Sequence, residues 1–147
     1  MRAFPQHGMC FTCGDENPRG IGIQWYICED KSIFGEITLT EHQQGPPGHA
    51  HGGASAALLD EAMGLAVWMA GYAVVAVNLN VDFLRPVPLG VPITISGRVD
   101  RRDGRAIHAV GEIRLPDGTV AVAGRGVYVE APHLVGNLKD AKQAGQE

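Results

Sequence analysis

The sequence predicts an α+β domain, a curled antiparallel sheet of about six strands wrapped around one long central helix. Three observations lead there. Residues Gly52 to Ala70 are apolar on nearly every side, with Ser55, Asp60 and Glu61 as the main polar exceptions, so this helix is expected to be enclosed rather than half in water. Two strand-like segments precede it and four follow it. Two of the later breaks contain Asp-Gly, a strong hairpin signal between alternating segments.

Each element follows from its residues. Phe4 to Gly20 is rich in Gly, Pro, Cys and Asn and reads as an irregular segment packed onto the domain. Ile21 to Cys28 and Ser32 to Thr40 carry Ile, Trp, Tyr, Phe and Thr with partial alternation, and Glu29-Asp30-Lys31 between them reads as a hairpin turn. Glu41 to His49 is a loop held by Gly45, Pro46, Pro47 and Gly48, and Gly71 supplies the stop of the helix. Then come Val74 to Leu84, Val91 to Asp100, Ala106 to Leu115 and Val120 to Glu130, which read as an antiparallel meander with turns at Pro86 to Gly90, Asp103-Gly104 and Pro116-Asp117-Gly118. In the first of these strands Val77, Leu79, Val81 and Phe83 share one face, expected to be core, while Asn78, Asn80 and Asp82 share the polar one. The stretch from Pro132 onward is a polar tail. Such a sheet has exposed edges, and pairing one with its two-fold mate would set two helices side by side in a dimer.

The 147 residues fit a single domain over 1–147. A hydrophobic fraction of 45% and a charged fraction of 19% argue against a disordered or fibrous chain. The net charge of -4 is spread without runs, and no basic face or tail points to nucleic acid. The basic cluster Arg98, Arg101, Arg102 and Arg105 suits phosphates locally, so an anionic small molecule is the better partner. The start Met1-Arg2-Ala3-Phe4-Pro5 continues polar, and the apolar run Ala62 to Val77 falls short of the ~20 residues that span a bilayer. The expected location is therefore cytoplasmic, with no membrane contact. Cys10, Cys13 and Cys28 form an odd set that does not suggest a disulfide framework.

The chemistry concentrates on the helix. N–H groups of a first helical turn have no intrahelical partner, and His51-Gly52-Gly53 opens the helix without a side-chain barrier, an arrangement that suits a carbonyl or oxyanion. Asp60 lies about 12 Å further up the axis at roughly 1.5 Å per residue, too far to serve a carbonyl bound at the same tip. One chain therefore cannot assemble the site, and a symmetric dimer can.

These residues resemble a known family. Gln44-Gly45-Pro46-Pro47-Gly48, His51-Gly52-Gly53, Leu58-Leu59-Asp60-Glu61-Ala62-Met63-Gly64, Asn78-Leu79-Asn80 and Phe83-Leu84-Arg85-Pro86-Val87-Pro88 look like the hotdog-fold acyl-CoA thioesterases of the PaaI type. Cys10-Phe11-Thr12-Cys13-Gly14 with Asn17-Pro18-Arg19-Gly20 is similar to a segment common there, so the resemblance runs from about Cys10 to Glu130. It implies the hotdog fold, hydrolysis of acyl-CoA thioesters at dimer interfaces, often within a dimer of dimers, and no metal or other cofactor, coenzyme A being part of the substrate. It maps the catalytic carboxylate onto Asp60 and the carbonyl-binding amide onto Gly52. One departure is that relatives often place Ser or Thr near the start of the strand after the helix to hold water, where this chain has Val75-Ala76-Val77. The loop also lacks an asparagine that some relatives aim at the carbonyl, and Gln43 and Gln44 are the candidate substitutes for it.

The candidate catalytic residues are thus Asp60, Gly52 and His51, the histidine mainly fixing the loop. Gly53, Glu61, Gln44, Asn78, Arg102 and Arg105 are the candidate substrate-binding set, with Glu61 about 100° from Asp60 on the wheel as the backup carboxylate. Against these stand plain readings: Asp60 as a polar residue at a dimer seam, the glycines as close packing, the arginines as solvated hairpin residues. Cys10-x-x-Cys13 invites a zinc or redox reading, yet zinc wants four ligands and only His7 and the distant Cys28 stand ready in sequence, so packing is preferred and no metal is expected. Two other functions share the features: a non-hydrolytic acyl-CoA binding or sensing protein, lacking a hydroxyl at Ala76, and a hotdog acyl-thioester dehydratase or hydratase. The second is disfavoured because no acidic partner neighbours His51.

Overall fold

The computed structural model describes residues 1–134, so most of the polar tail lies outside the described residues. Among the described residues there are seven strands and one long helix: β1 (Arg2–Ala3), β2 (Trp25–Ile27), β3 (Ile33–Thr38), α1 (Gly52–Met69), β4 (Val74–Phe83), β5 (Pro92–Asp103), β6 (Ala106–Arg114) and β7 (Val120–Glu130). They make one antiparallel sheet in the order β1-β2-β3-β5-β6-β7-β4, with α1 packed against β3 through β7. This is the hotdog arrangement.

The helix is enclosed because its core side chains point several ways. Leu58, Leu59, Ala62, Met63, Leu65, Ala66 and Val67 are all buried, against a sheet face that supplies Ile33, Ile95, Ile107, Ile113 and Val122. The sheet approaches the helix backbone most closely at Gly97, where an added Cβ would stand 2.5 Å from the Ala62 carbonyl.

Three expectations need correction. The strand foreseen over Ile21 to Cys28 shrinks to Trp25–Ile27, because the backbone of Ile21, Gly22 and Ile23 bonds instead to the carbonyls of Phe11 and Thr12. Gly22 turns the chain there at φ 83°. A seventh strand also appears at Arg2–Ala3, paired with β2.

The expected four-strand meander is a three-strand one. β5, β6 and β7 follow each other through the two Asp-Gly turns, but β4 pairs with β7 and lies on the far edge of the sheet. The segment after it spends its hydrogen bonds elsewhere: the Arg85 N–H bonds to Ala121 O, the Val87 carbonyl accepts from Ala50 N, and the Gly90 N–H bonds to Leu39 O. A hairpin between β4 and β5 is thereby replaced by a crossover.

The shared core face of β4 is the third. Val81 is partly buried, but Val77 is 57% exposed, Phe83 is 58% exposed, and Leu79 also faces solvent. Two causes act together. A register shift between Ala76 and Asn78 breaks the alternation, and β4 has strand pairing on one side only. No helix among the described residues is long and apolar enough to cross a membrane.

Candidate active site

The loop ahead of the helix is tightly pinned. Thr40 caps a short 3-10 turn at Glu41–Gln43 through a capping box, and the His51 N–H then bonds to the Gln43 carbonyl at 2.7 Å. A Cβ on Gly45 would stand 2.8 Å from His51 Cα, so the loop crosses the helix start at a distance only glycine permits.

His51 is the N-cap of α1, and its Nδ1 accepts the Gly53 N–H at 2.8 Å. This bond makes Nδ1 an acceptor and puts the proton of the neutral ring on Nε2. It also occupies the Gly53 amide, which was expected to share in carbonyl binding. The Gly52 N–H has no partner among the described residues, and it belongs to the turn where the helix dipole is positive. Gly52 lines a cavity of about 390 Å³ with Pro46, His49, Phe83, Arg85 and Val87, and the Phe83 ring stands 3.2 Å from where its Cβ would be.

Asp60 lies in a different cavity, of about 350 Å³, whose walls include His7, Cys10, Glu61, Trp68, Ala76 and Tyr128. The Tyr128 hydroxyl stands 3.0 Å from both Asp60 Oδ1 and the Asp60 carbonyl, fixing one carboxylate oxygen. Burial, reinforced by the Asp60 charge, pushes the Tyr128 hydroxyl well above the usual phenol range, so it stays protonated as a donor. Sequence reasoning missed this residue. Alternation puts it on the inward face of β7, but nothing in the sequence says which helical turn it meets. Ala76 lines the same cavity, so the position expected to lack a hydroxyl faces Asp60.

Glu61 lines Asp60's cavity, and its carboxylate turns toward the irregular segment. Its Oε1 lies 3.5 Å from Cys10 Sγ, 3.7 Å from Cys13 Sγ and 4.0 Å from His7 Nδ1. Burial pushes its carboxyl up to about 7, with Cys10 adding to the rise and His7 opposing it. The neighbouring Cys13 holds the Cys10 thiol far below its usual range, and Cys10 together with burial drives Cys13 above its own. The ligand shortage argued for Cys10 and Cys13 does not survive folding, which brings Glu61 to them as a fourth group.

The remaining candidates stand apart from both cavities. The Gln44 side-chain oxygen accepts the Gly48 N–H, and the residue lines a groove with His51 and Gly53. Asn78 sits with Asn80, Asp100 and Arg125 on the outer side of the sheet. Arg102 bonds to Gly104 O, lies 3.8 Å from Glu130 and covers the Tyr72 ring at 4.9 Å, while Arg105 is exposed beside the turn. Arg98 and Arg101 both pair with Asp100, so the basic cluster is partly neutralised at the surface.

Known proteins resemble this chain in sequence and fold. A family model described as the thioesterase superfamily matches residues 47–122, more than half the chain. The acyl-coenzyme A thioesterase THEM4 of Bos taurus is 34% identical over 110 residues, covering 73% of this chain and 44% of that protein. Its Xenopus laevis counterpart is 31% identical over 105 residues, covering 69% and 47%. The chain thus spans less than half the length of these curated relatives. Among solved structures, the thioesterase superfamily protein RHA08564 is 40% identical with a TM-score of 0.79, covering 82% of this chain and 62% of that one. The E. coli PaaI protein shares the fold at 24% identity and a TM-score of 0.69, covering 75% and 80%. The matched stretch runs from the loop before Gly52, along the enclosed helix and into β7, and contains both Gly52 and Asp60; this chain belongs to the thioesterase superfamily.

Proposed function

We propose that the protein hydrolyses acyl-CoA thioesters to the free acid and CoA, at a site formed between two copies of the chain. The observation that carries this reading is the division of labour along α1. An unpartnered amide opens the helix at Gly52, a tyrosine-held carboxylate stands on it at Asp60, and the two line separate cavities. The names of the THEM4 relatives support the substrate class. Exposed Val77, Leu79 and Phe83 on the half-paired edge strand β4 support the homodimer, and a dimer of dimers is compatible with it.

The thioester carbonyl oxygen accepts from the Gly52 N–H, and the helix dipole stabilises the negative charge that develops as the carbon is attacked. Asp60 of the partner subunit takes a proton from the attacking water. The tetrahedral intermediate then collapses, breaking the C–S bond and releasing CoA as a thiolate that needs no strong general acid. Direct attack by the Asp60 carboxylate gives a mixed anhydride, which water resolves to the same products. Single turnover in oxygen-labelled water separates the two routes, because label enters the Asp60 carboxylate only in the second. No cofactor enters either route.

A panel of acyl-CoAs with a thiol-detecting assay tests the activity. Steady thiol release is expected, from the wild type and not from Asp60→Asn. Tight acyl-CoA binding without thiol release favours the sensing protein, a reading supported by Ala76 standing in Asp60's cavity. An enoyl product without free CoA favours the dehydratase.

A further inference from the structure

Residues 4–23 hold little regular structure, yet Phe4, Cys13 and Ile23 are buried in the core. What ties this segment down is concentrated at one place. The ligand-bearing atoms of His7, Cys10, Cys13 and Glu61 all lie within 4.8 Å of one another, three from the segment and one from α1. Their separations include 3.1 Å from His7 Nδ1 to Cys13 Sγ, then 3.5, 3.7 and 4.0 Å from Glu61 Oε1 to Cys10, Cys13 and His7. A tetrahedron with bonds of 2.0–2.3 Å has edges of about 3.3–3.8 Å, so the cluster is already near coordination spacing.

The surroundings argue for an ion rather than a hydrogen-bonded knot. Glu61 is mostly buried, and the partners of its carboxylate are two sulfurs and one imidazole, with no lysine, arginine or backbone N–H bonded to it among the described residues. Thiols are weak donors, a poor match for a carboxylate withdrawn from water. The His7 ring is set between Phe4 and Trp68, at centroid distances of 5.3 and 5.9 Å, which fixes the direction of Nδ1. The backbone is shaped for the two sulfurs as well. His7 O accepts the Cys10 N–H, Cys10 O accepts the Gly14 N–H, and Gly14 passes so close that an added Cβ would lie 2.3 Å from Gly8 O. Two cysteines at C-x-x-C spacing, wrapped in this knuckle, present both sulfurs to the same point.

We propose that His7, Cys10, Cys13 and Glu61 form a structural zinc site that fastens the N-terminal segment to the central helix. Two thiolates select a thiophilic ion, and the imidazole and single carboxylate suit Zn²⁺ better than copper(I) or an iron–sulfur cluster. Four protein ligands close the coordination shell, which assigns the ion to holding structure and not to activating water. Its place has a consequence for the neighbouring cavity, since His7 and Cys10 wall it and Asp60 adjoins Glu61 on the helix. The proposal does not rest on the thioesterase reading, and its readout is the metal itself.

The test uses the full chain, expressed with zinc in the medium and purified without a polyhistidine tag or chelator. Elemental analysis is expected to find stoichiometric zinc, lost to background in Cys10→Ser/Cys13→Ser and retained in Cys28→Ser. Glu61→Gln should surrender zinc to a chelator that leaves the wild type loaded. If the double cysteine variant does not fold, the wild type stripped and reloaded with Co²⁺ decides, with thiolate-to-cobalt charge-transfer bands and tetrahedral d–d bands expected. Wild-type protein that stays metal-free after incubation with Zn²⁺ and Co²⁺, a Cys10–Cys13 disulfide in the protein as isolated, or undiminished zinc without the two cysteines would each overturn the proposal.

Discussion

Asp60 and Tyr128 act as a unit in this structure. A carboxylate on an enclosed helix needs a donor, and the Tyr128 hydroxyl supplies one while leaving the second carboxylate oxygen without a bonded partner among the described residues. Asp60→Asn keeps the shape and removes the proposed base, so kcat is expected to fall by about 10²–10⁴-fold with the fold intact by circular dichroism. Tyr128→Phe removes one buried hydrogen bond, which costs roughly 1 kcal/mol of stability in a denaturant titration. It should also lower kcat more than it raises KM, because the freed carboxylate samples unproductive orientations; an unchanged kcat would leave Tyr128 a packing role alone. At the helix tip, Gly52→Ala brings a Cβ to 3.2 Å from the Phe83 ring and crowds the amide proposed to receive the carbonyl. Reduced kcat/KM in thiol release is the expected outcome, and wild-type kinetics would speak for close packing as the glycine's whole purpose.

The central helix and the strands across it meet at glycines. At Gly97 of β5 an added methyl would fall 2.5 Å from the Ala62 carbonyl, and at Gly111 of β6 it would fall 2.7 Å from Ser96 O, both contacts with backbone that cannot swing aside. Gly97→Ala should therefore force the helix off the sheet and destabilise by at least about 1–3 kcal/mol, read as a lower denaturant midpoint with little change in slope. The amphipathic β4 shows the opposite situation. Its alternation was legible, but the inference that its apolar face is core failed, because an edge strand with a bulge directs Val77, Leu79 and Phe83 outward. Periodicity reports that a face is apolar; it does not say whether the protein's own core or another surface covers it.

The proposed site, shared between two copies of the chain, makes assembly the property to test at the scale of the whole molecule. Leu79→Lys on the exposed part of β4 should shift the sedimentation profile toward monomer and abolish thiol release together, since a monomer holds each half of the site apart. Complementation tests the same idea more directly. Asp60→Asn and Gly52→Val are each expected to be nearly inactive, while unfolding and refolding them as a mixture should restore activity, because one interface of each mixed dimer then receives an intact amide and an intact carboxylate. Mixtures no more active than the separate variants would mean that each chain carries a complete site.

The residues alone announced the enclosed helix, the Asp-Gly hairpins of β5, β6 and β7, and the pairing of a glycine-opened helix start with a carboxylate two turns on, since all of these are local patterns spaced by known helical and strand periods. The N-cap role of His51 was legible for the same reason. Contacts between distant segments were not. That β4 crosses to pair with β7, that Tyr128 meets Asp60, and that Glu61 meets His7, Cys10 and Cys13 were decided by tertiary packing, which sets neighbours through long-range burial and hydrogen-bond satisfaction that no run of adjacent residues encodes.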